Sequence, residues 1–248
     1  MNILNKLIDI IYPPRCPICL ESLWDNRMGD KSKGAFFCEA CFSDFKKIHS
    51  PLCPICCRPF VSQEEEDHPC EDCLRTKPFY EAAAAPYLFE GSLMTAIHKY
   101  KYGPKSFLAD YLGPLLAHFA ERWSVVTSDD LLAMPVPLHL KRLRQRGFNQ
   151  SLLLARHVAD RLQCELDFLS LRRVRYTLPQ TGLGKDARRK NVRGAFHLKD
   201  PEIVKGKTVL LVDDVATTGN TLNECSRVLK KAGCKEVFCL VLARAGFS

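Results

Sequence analysis

The segment TVLLVDDVATTGNTL, residues 208–222, combines a strand pattern, an acidic pair and the start of a helix. Residues 209–212 are all aliphatic, which is typical of a strand buried on both faces of a parallel sheet. Asp213 and Asp214 follow, and a loop of threonines and glycine then leads into a helical pattern. Ligands bind at the carboxyl ends of parallel strands, and anions bind at helix N-termini. The segment therefore predicts an anion site beside two carboxylates.

The loop after the acids offers the groups that bind a phosphate. Threonine hydroxyls and free backbone N–H groups donate hydrogen bonds to phosphate oxygens, and glycine lets the backbone approach the ligand closely. Asp213 and Asp214 suit hydroxyl groups or a bound divalent metal, so a phosphorylated ribose fits the whole segment. The candidate loop residues are Ala216, Thr217, Thr218, Gly219, Asn220 and Thr221.

Two other interpretations of this segment were weighed against a ligand site. P-loop ATPases also place acids after an apolar strand, but they require a GxxxxGK[ST] loop that follows a strand. Here Gly-Lys-Thr, residues 206–208, precedes a strand and has Pro201 in place of the first glycine, which excludes that class. A simple acid-capped strand and threonine-capped helix would explain one acid and one threonine, but not the whole run.

The residues from 79 onward alternate strand and helix patterns. This alternation predicts an α/β domain with a mostly parallel, twisted sheet flanked by helices. Apolar spacing places two helices within residues 93–123, separated at Gly103 and Pro104. Further helices are predicted over residues 149–162 and 221–233, and strands over 130–138, 166–174, 207–215 and 236–244.

Cysteine pairs dominate residues 1–78, which we predict to be a separate zinc ribbon module. Two thiolates three residues apart can present both sulfurs to one tetrahedral metal ion. Eighteen residues separate the first pair from the second, as in zinc ribbons, and 13 separate the third from the fourth. The spacing predicts two structural zinc ions. The eight predicted ligands are Cys16, Cys19, Cys38, Cys41, Cys53, Cys56, Cys70 and Cys73.

Several alternatives remain open for these cysteines. A cross-braced arrangement would join the first pair with the third, and rubredoxin-type iron needs the same four thiolates as zinc. A disulfide framework requires an oxidising compartment. Residues 1–14 have the pattern of a short amphipathic helix and not that of the apolar region of a signal peptide. No apolar window in the sequence is long enough to span a membrane. We therefore expect a cytoplasmic protein whose cysteines bind metal and do not form disulfides.

Four segments resemble signatures of a known family. VLLVDDVATTGNT, residues 209–221, looks like the phosphoribosyl pyrophosphate (PRPP) signature of type I phosphoribosyltransferases. HKYKYG at 98–103, PVPLHLKRLRQRGFNQSLLLA at 135–155 and QTGLGKDARRKNVRGAF at 180–196 resemble signatures of the ComF family. Its members join a cysteine-rich zinc module to a phosphoribosyltransferase-like domain. They are associated with natural competence and DNA uptake or, in the branch called GntX, with gluconate utilisation.

The resemblance implies roles for particular residues. Asp213 and Asp214 would hold the ribose 2′- and 3′-hydroxyls of PRPP, residues 216–221 would wrap its 5′-phosphate, and magnesium would accompany the ligand. A basic loop after Pro137 takes the place of the pyrophosphate loop. Its candidate contacts are Lys141, Arg142, Arg144 and Arg146. The candidate residues of the mobile hood are Gln180, Thr181, Gly182, Arg188, Arg189 and Lys190. The resemblance implies a phosphoribosyltransferase. Neither an acceptor-binding set nor a general base stands out, so the resemblance supports PRPP binding better than a particular transfer reaction, and the catalytic residues are unassigned.

Charge distribution suggests a second class of function. Residues 137–195 contain 14 Lys+Arg and 4 Asp+Glu, a net charge of +10, whereas the whole chain carries +8. Such a surface suits pyrophosphate, but it also suits a nucleic-acid backbone. Tyr100, Tyr102, Phe148 and Tyr176 could stack bases, although core packing is the more common role for each aromatic residue taken alone. The alternative function is therefore a single-stranded DNA-binding competence protein with a non-catalytic fold, and the zinc module would dock a protein partner.

Overall fold

The computed structural model describes residues 13–23, 37–60, 66–102, 106–123, 129–177 and 191–246. The strands are β1 (Ala82–Ala84), β2 (Tyr87–Leu88), β3 (Leu131–Pro135), β4 (Glu165–Leu166), β5 (Leu171–Arg173), β6 (Phe196–Leu198), β7 (Thr208–Ala216) and β8 (Glu236–Arg244). The central sheet has six strands in the order β1-β8-β7-β3-β4, with β2 also on β8, and every pairing in it is parallel. Strands β5 and β6 form a separate antiparallel pair. The predicted parallel α/β architecture is confirmed.

Helices cover both faces of this sheet. They are α1 (Glu39–Ser43), α2 (Glu71–Arg75), α3 (Gly91–Lys101), α4 (Ala109–Arg122), α5 (Leu140–Arg146), α6 (Gln150–Leu162) and α7 (Asn220–Lys231). Alternate residues of β7 point to opposite faces. Leu210 and Val212 pack in the same buried cluster as α4 and α6, whereas Val209 and Leu211 pack in the cluster that includes α7. The aliphatic run of β7 is thus explained by burial on both faces.

Two local predictions were wrong. The strand expected over residues 166–174 is divided between β4 and β5, because the Asp167 carboxylate accepts hydrogen bonds from the N–H groups of Leu169 (3.2 Å) and Ser170 (2.9 Å) and closes a turn. The basic loop expected after Pro137 is largely the helix α5. His139 Nδ1 accepts from the Lys141 N–H at its start, and Gly147, at φ 83°, ends it in the left-handed conformation.

The cysteine-rich residues pack directly onto the α/β domain. Cys16, Cys38 and Phe45 belong to the same buried cluster as Leu210 of β7, and the Phe45 ring lies 5.7 Å from that of Tyr87. The boundary predicted after residue 78 therefore marks a change in sequence pattern, while the apolar core continues across it. Within the part of the chain that the structure describes, no helix is both long and apolar enough to cross a membrane.

Candidate functional site

A cavity of about 290 Å³ opens at the carboxyl edge of the sheet. Strand β3 ends at Pro135, opposite Val212, but β7 continues to Ala216, so Asp213 and Asp214 lie inside β7, beyond the end of its neighbour. The sequence had predicted them at the carboxyl end of a strand over residues 207–215, which agrees with these bounds. The cavity is lined by Phe89, His98, Lys101, Tyr102, Val136, Pro137, Leu138, Arg142, Arg146, Gln150, Ser151, Arg173, Asp213, Asp214, Val215, Thr217 and Thr221.

The two acids form the floor of the cavity, and both are buried. The Ser151 hydroxyl donates to Asp213 Oδ1 at 2.7 Å, and the Asp214 N–H donates to the same oxygen at 2.9 Å. Asp214 Oδ1 accepts from the Val215 N–H at 3.0 Å, and Lys101 Nζ lies 2.7 Å from its Oδ2. Burial and the neighbouring Asp214 carboxylate raise the pKa of Asp213 to about 7. The acids are therefore held in fixed positions before any ligand binds.

The segment from Ala216 to Thr221 leads from these acids into α7, as predicted. Thr217 and Thr221 line the cavity. Gly219 has φ 75°, and a Cβ there would lie 3.3 Å from the Tyr80 hydroxyl, which explains the need for glycine. The buried atoms Thr218 Oγ1 and Asn220 Nδ2 have no hydrogen-bond partner among the described residues. Because buried polar groups normally have partners, these two atoms fit a loop that receives an oxygen-rich ligand.

Three arginines form the basic wall of the cavity. Arg142 and Arg146 lie one turn apart on α5 and share a face, and Arg173 comes from β5. Arg142 Nη2 donates to the Thr177 carbonyl at 3.1 Å, while Arg146 donates to Gln150 Oε1. Burial lowers the pKa of both Arg146 and Arg173. Guanidinium groups nevertheless stay charged in proteins, so the wall presents fixed positive charge to a ligand.

The other two candidates on α5 lie outside the cavity. Lys141 and Arg144 are exposed and do not line it. Lys141 Nζ instead lies 4.9 Å from the centre of the Tyr176 ring. The structure thus separates the four predicted cations of α5 into an inner pair, Arg142 and Arg146, and an outer pair, Lys141 and Arg144.

Sequence reasoning missed several cavity residues, among them Lys101, Ser151 and Arg173. Lys101 lies within the HKYKYG signature, so that motif could have indicated it. Ser151 reaches Asp213 because Asn149 caps α6 by accepting from the Ser151 N–H at 3.1 Å. Arg173 comes from a short strand without a recognisable motif. The hood candidates Gln180, Thr181, Gly182, Arg188, Arg189 and Lys190 lie outside the described residues and stay predictions.

The four aromatic candidates for base stacking divide equally between core and surface. Tyr100 is fully buried, donates to the Gln150 carbonyl at 2.8 Å, and packs against Phe148 at 5.6 Å between ring centres. Tyr102 is 77% exposed and Tyr176 is 37% exposed. The Arg146 guanidinium lies 5.6 Å from the Tyr102 ring centre. Each of the two exposed rings therefore makes a cation–π contact with a residue of α5.

The eight paired cysteines form two groups of four. Cys16, Cys19, Cys38 and Cys41 make the first centre, and Cys53, Cys56, Cys70 and Cys73 make the second; within each, all four sulfurs lie within 4.8 Å of one another. A tetrahedral zinc ion with Zn–S bonds of about 2.3 Å needs sulfurs about 3.8 Å apart. Cys19 and Cys38 are 3.5 Å apart, and Cys56 and Cys70 are 3.6 Å apart, so both groups fit zinc. The arrangement confirms neighbouring pairs and not the cross-braced alternative.

The remaining candidate ligands stand apart from these centres. Cys57 is buried against the carbonyl of Ala85, 4.0 Å from its sulfur. His49 is exposed, and His68 stacks on Phe60 with 4.2 Å between ring centres. None of these three belongs to either group of potential metal ligands found among the described residues.

Family models match both parts of the chain. A phosphoribosyl transferase domain matches residues 149–246, and a double zinc ribbon domain matches residues 7–74. The two cysteine groups are therefore the two sites of a double zinc ribbon. Among solved structures, a hypoxanthine phosphoribosyltransferase from Staphylococcus aureus overlays with TM-score 0.37 at 12% identity, covering 55% of this chain and 64% of that one.

Several curated proteins are similar over most of their length. The DNA utilization protein YhgH of Escherichia coli is 32% identical over 209 residues, which are 82% of this chain and 88% of that protein. Competence protein F of Haemophilus influenzae is 31% identical over 212 residues, or 84% of this chain and 90% of the relative. Competence protein ComFC of Bacillus subtilis is 26% identical over 208 residues, covering 79% and 78% of the two chains.

Proposed function

The chain belongs to the ComF family, and from this premise we propose that its α/β domain binds PRPP with magnesium in the service of natural competence. The observation that carries the proposal is the pairing of a fixed acidic floor with a phosphate loop whose buried donors Thr218 Oγ1 and Asn220 Nδ2 have no partner among the described residues. A cytoplasmic location is part of the proposal, and eight cysteines grouped as metal ligands support it, because disulfides are rare in reducing compartments.

The geometry supports one orientation of PRPP. Asp213 and Asp214 accept hydrogen bonds from the ribose hydroxyls, and hydrogen bonds to charged acceptors are worth about 1.5–3 kcal/mol each. The 5′-phosphate lies in the loop of residues 216–221, at the N-terminus of α7. The pyrophosphate faces Arg142, Arg146 and Arg173. Bound magnesium offsets pyrophosphate charge, and the protein residues orient the ligand.

Calorimetric titration of the zinc-loaded full chain tests this proposal. We expect PRPP to bind with magnesium and to bind more weakly after magnesium is removed. Ribose 5-phosphate, which lacks the pyrophosphate, should bind with intermediate or lower affinity because it contacts the floor and loop alone. Absence of PRPP binding with magnesium would contradict the proposal. Mass spectrometry of the same mixture for released pyrophosphate determines whether PRPP is hydrolysed, because the mixture contains no acceptor for a transfer.

A second candidate function, single-stranded DNA binding, is favoured by the rim of the cavity. Helix α5 brings a cation to each of two exposed rings: Lys141 lies by Tyr176, and Arg146, which lines the cavity, lies by Tyr102. Exposed aromatic rings beside cations are the elements that stack bases and contact phosphates along a single strand. A strand that contacts both rings would cross the mouth of the PRPP cavity. The two ligands would then share Arg146, and PRPP would reduce DNA affinity.

Fluorescence anisotropy with a labelled single-stranded oligonucleotide tests this second function. We expect salt-sensitive binding, because phosphate contacts release counterions, and we expect magnesium-PRPP to weaken it. Tyr176→Ala should weaken DNA binding more than PRPP binding, since Tyr176 does not line the cavity and reaches it only through Arg142, 5.9 Å from the ring centre. Phe168→Ala, another exposed aromatic residue, is the matched control. No binding at low salt, with or without PRPP, would exclude the function for the isolated chain.

A further inference from the structure

Arg244, the last residue of β8, is a buried charged side chain that connects the two parts of the protein. It is 2% exposed. Its Nε donates to the carbonyl of Cys56, in the second cysteine centre, at 3.0 Å. Its Nη1 donates to the carbonyl of Ala216, also at 3.0 Å. Because Ala216 ends β7 and begins the phosphate loop, one guanidinium group joins a cysteine knuckle to that loop.

Two further contacts approach the same loop from the residues that directly follow the cysteine-rich module. The Phe79 N–H donates to Asn223 Oδ1, in the first turn of α7, at 2.8 Å. The Tyr80 hydroxyl lies against Gly219, so close that a Cβ there would be 3.3 Å away. Arg244 and Tyr80 do not line the cavity. They support the phosphate loop from behind, and a ligand in the cavity would touch its other side.

Charge gives Arg244 a reason to depend on the metal. Four thiolates around one Zn²⁺ carry a net charge of −2, and the four sulfurs of the second centre come from buried residues. A buried charge is costly unless an opposite charge is near. The permanently charged Arg244 guanidinium is bonded to the Cys56 carbonyl and so lies beside this centre. Zinc bound in this centre would therefore stabilise Arg244 through its charge and by ordering the knuckle whose Cys56 carbonyl accepts the hydrogen bond.

We propose that Arg244 positions the phosphate loop from the second zinc centre, so that zinc in this centre and PRPP in the cavity stabilise each other. The coupling to PRPP rests on the proposed function, whereas the effect of Arg244 on the loop does not. Such coupling is reciprocal: if zinc strengthens PRPP binding, PRPP must retain zinc by the same factor. The buried guanidinium, with a donor directed at each side, is the physical connection between the two sites.

The first experiment measures amide hydrogen exchange in the zinc-loaded full chain. In Arg244→Met, peptides covering residues 216–221 should exchange faster than in wild type. Arg244→Lys keeps the charge but lacks the forked donors, so it should fold with the same zinc content and still show faster exchange in this loop. Arg58→Met is the matched control, because Arg58 pairs with Asp72, 2.5 Å away, within the segment that carries the second cysteine centre. It should leave exchange at 216–221 unchanged. Wild-type exchange in Arg244→Lys would overturn the proposal.

The second experiment follows zinc release to a chelating dye, with and without magnesium-PRPP. Release from the second centre should be the slow phase, because its cysteines are all buried whereas Cys19 of the first centre is exposed. PRPP should slow this phase about fivefold or more in wild type and Arg58→Met, and much less in Arg244→Lys. Equal slowing in Arg244→Lys and wild type would overturn the coupling. If wild type fails to bind PRPP, the proposed function fails and hydrogen exchange still decides the role of Arg244.

Discussion

The floor and the wall of the cavity are built in opposite ways. On the floor, Asp213 and Asp214 belong to the central strand β7, and two of their hydrogen bonds come from backbone N–H groups. In the wall, Arg142 and Arg146 project from the short helix α5 and bond to Thr177 and Gln150. The floor therefore offers a ligand a fixed arrangement, whereas the wall must exchange existing hydrogen bonds for new ones.

This difference predicts unequal contributions to PRPP binding. A preorganised group gives up little when the ligand arrives, so most of its interaction energy appears as affinity. An arginine that leaves a carbonyl or amide oxygen for a pyrophosphate oxygen gains only the difference between the two bonds. Charge still favours the exchange, because charge-assisted bonds are roughly twice as strong as neutral ones. We therefore expect the acids to contribute more than the inner pair of arginines.

The largest effect is expected from the double substitution Asp213→Asn and Asp214→Asn. It keeps the shape of the floor but removes charge-assisted bonds to the ribose worth about 1.5–3 kcal/mol each. PRPP affinity in magnesium should fall by at least about tenfold in calorimetry. Thermal unfolding serves as the control and should show that the variant is folded. Unchanged PRPP affinity in a folded double variant would place the ligand elsewhere.

A smaller effect is expected from the inner pair on α5. Arg142→Ala with Arg146→Ala should weaken PRPP binding severalfold and leave ribose 5-phosphate binding nearly unchanged, because the lost contacts are those to pyrophosphate. Lys141→Ala with Arg144→Ala removes the same charge from the same helix, but these side chains lie outside the cavity. Equal losses of PRPP affinity in both variants would show that net charge matters and the inward position does not.

The buried floor of the cavity also predicts that the free energy of unfolding depends on pH. The pKa of Asp213, about 7 in the folded protein, is raised from 3.8. A raised folded-state pKa contributes stability below about pH 4 that is lost as the pH rises through about 7. Asp213→Asn stays neutral throughout, so its free energy of unfolding should decline less between these limits than that of wild type. Denaturant titrations across this range measure the slopes, and parallel curves would contradict the burial argument.

The smallest effect concerns the outer pair on α5. If DNA phosphates contact Lys141 and Arg144, replacing both with Ala should flatten the salt dependence of single-stranded DNA binding. Each lost phosphate contact on a single strand lowers the slope of log affinity against log salt by about 0.7. The inner-pair variant should change this slope less and PRPP affinity more. An unchanged slope in the outer-pair variant would remove this face of α5 from the DNA surface.

Features encoded in one continuous segment were predictable from the sequence. Strand β7 contains the two acids and leads directly into the loop of residues 216–221, and the metal-ligating cysteines are marked by the CxxC spacing. Helix α5 was partly hidden, because the family resemblance implied a basic loop after Pro137, and only the folded helix shows that Arg142 and Arg146 share a face. Contacts between distant segments were invisible: Lys101 with Asp214 depends on how α3 lies beside the sheet edge.

Arg244 illustrates the same limit most clearly. At the end of an apolar strand, an arginine normally indicates that the chain has reached solvent. Here its side chain turns inward and donates to the Cys56 and Ala216 carbonyls, where the two parts of the protein meet. No spacing rule in the sequence connects residues that lie 188 positions apart.

This separation also has a consequence for synthesis of the protein. Cys56 leaves the ribosome 188 residues before Arg244, which is a delay of roughly 10–40 s at bacterial-scale rates of 5–20 residues per second. Leu210 and Leu240, which share the cluster that contains the first centre, are also made late. During this delay the cysteines of the nascent chain lack the residues that bury them in the folded protein. We expect early zinc capture to protect them from oxidation and mispairing until β8 is in place.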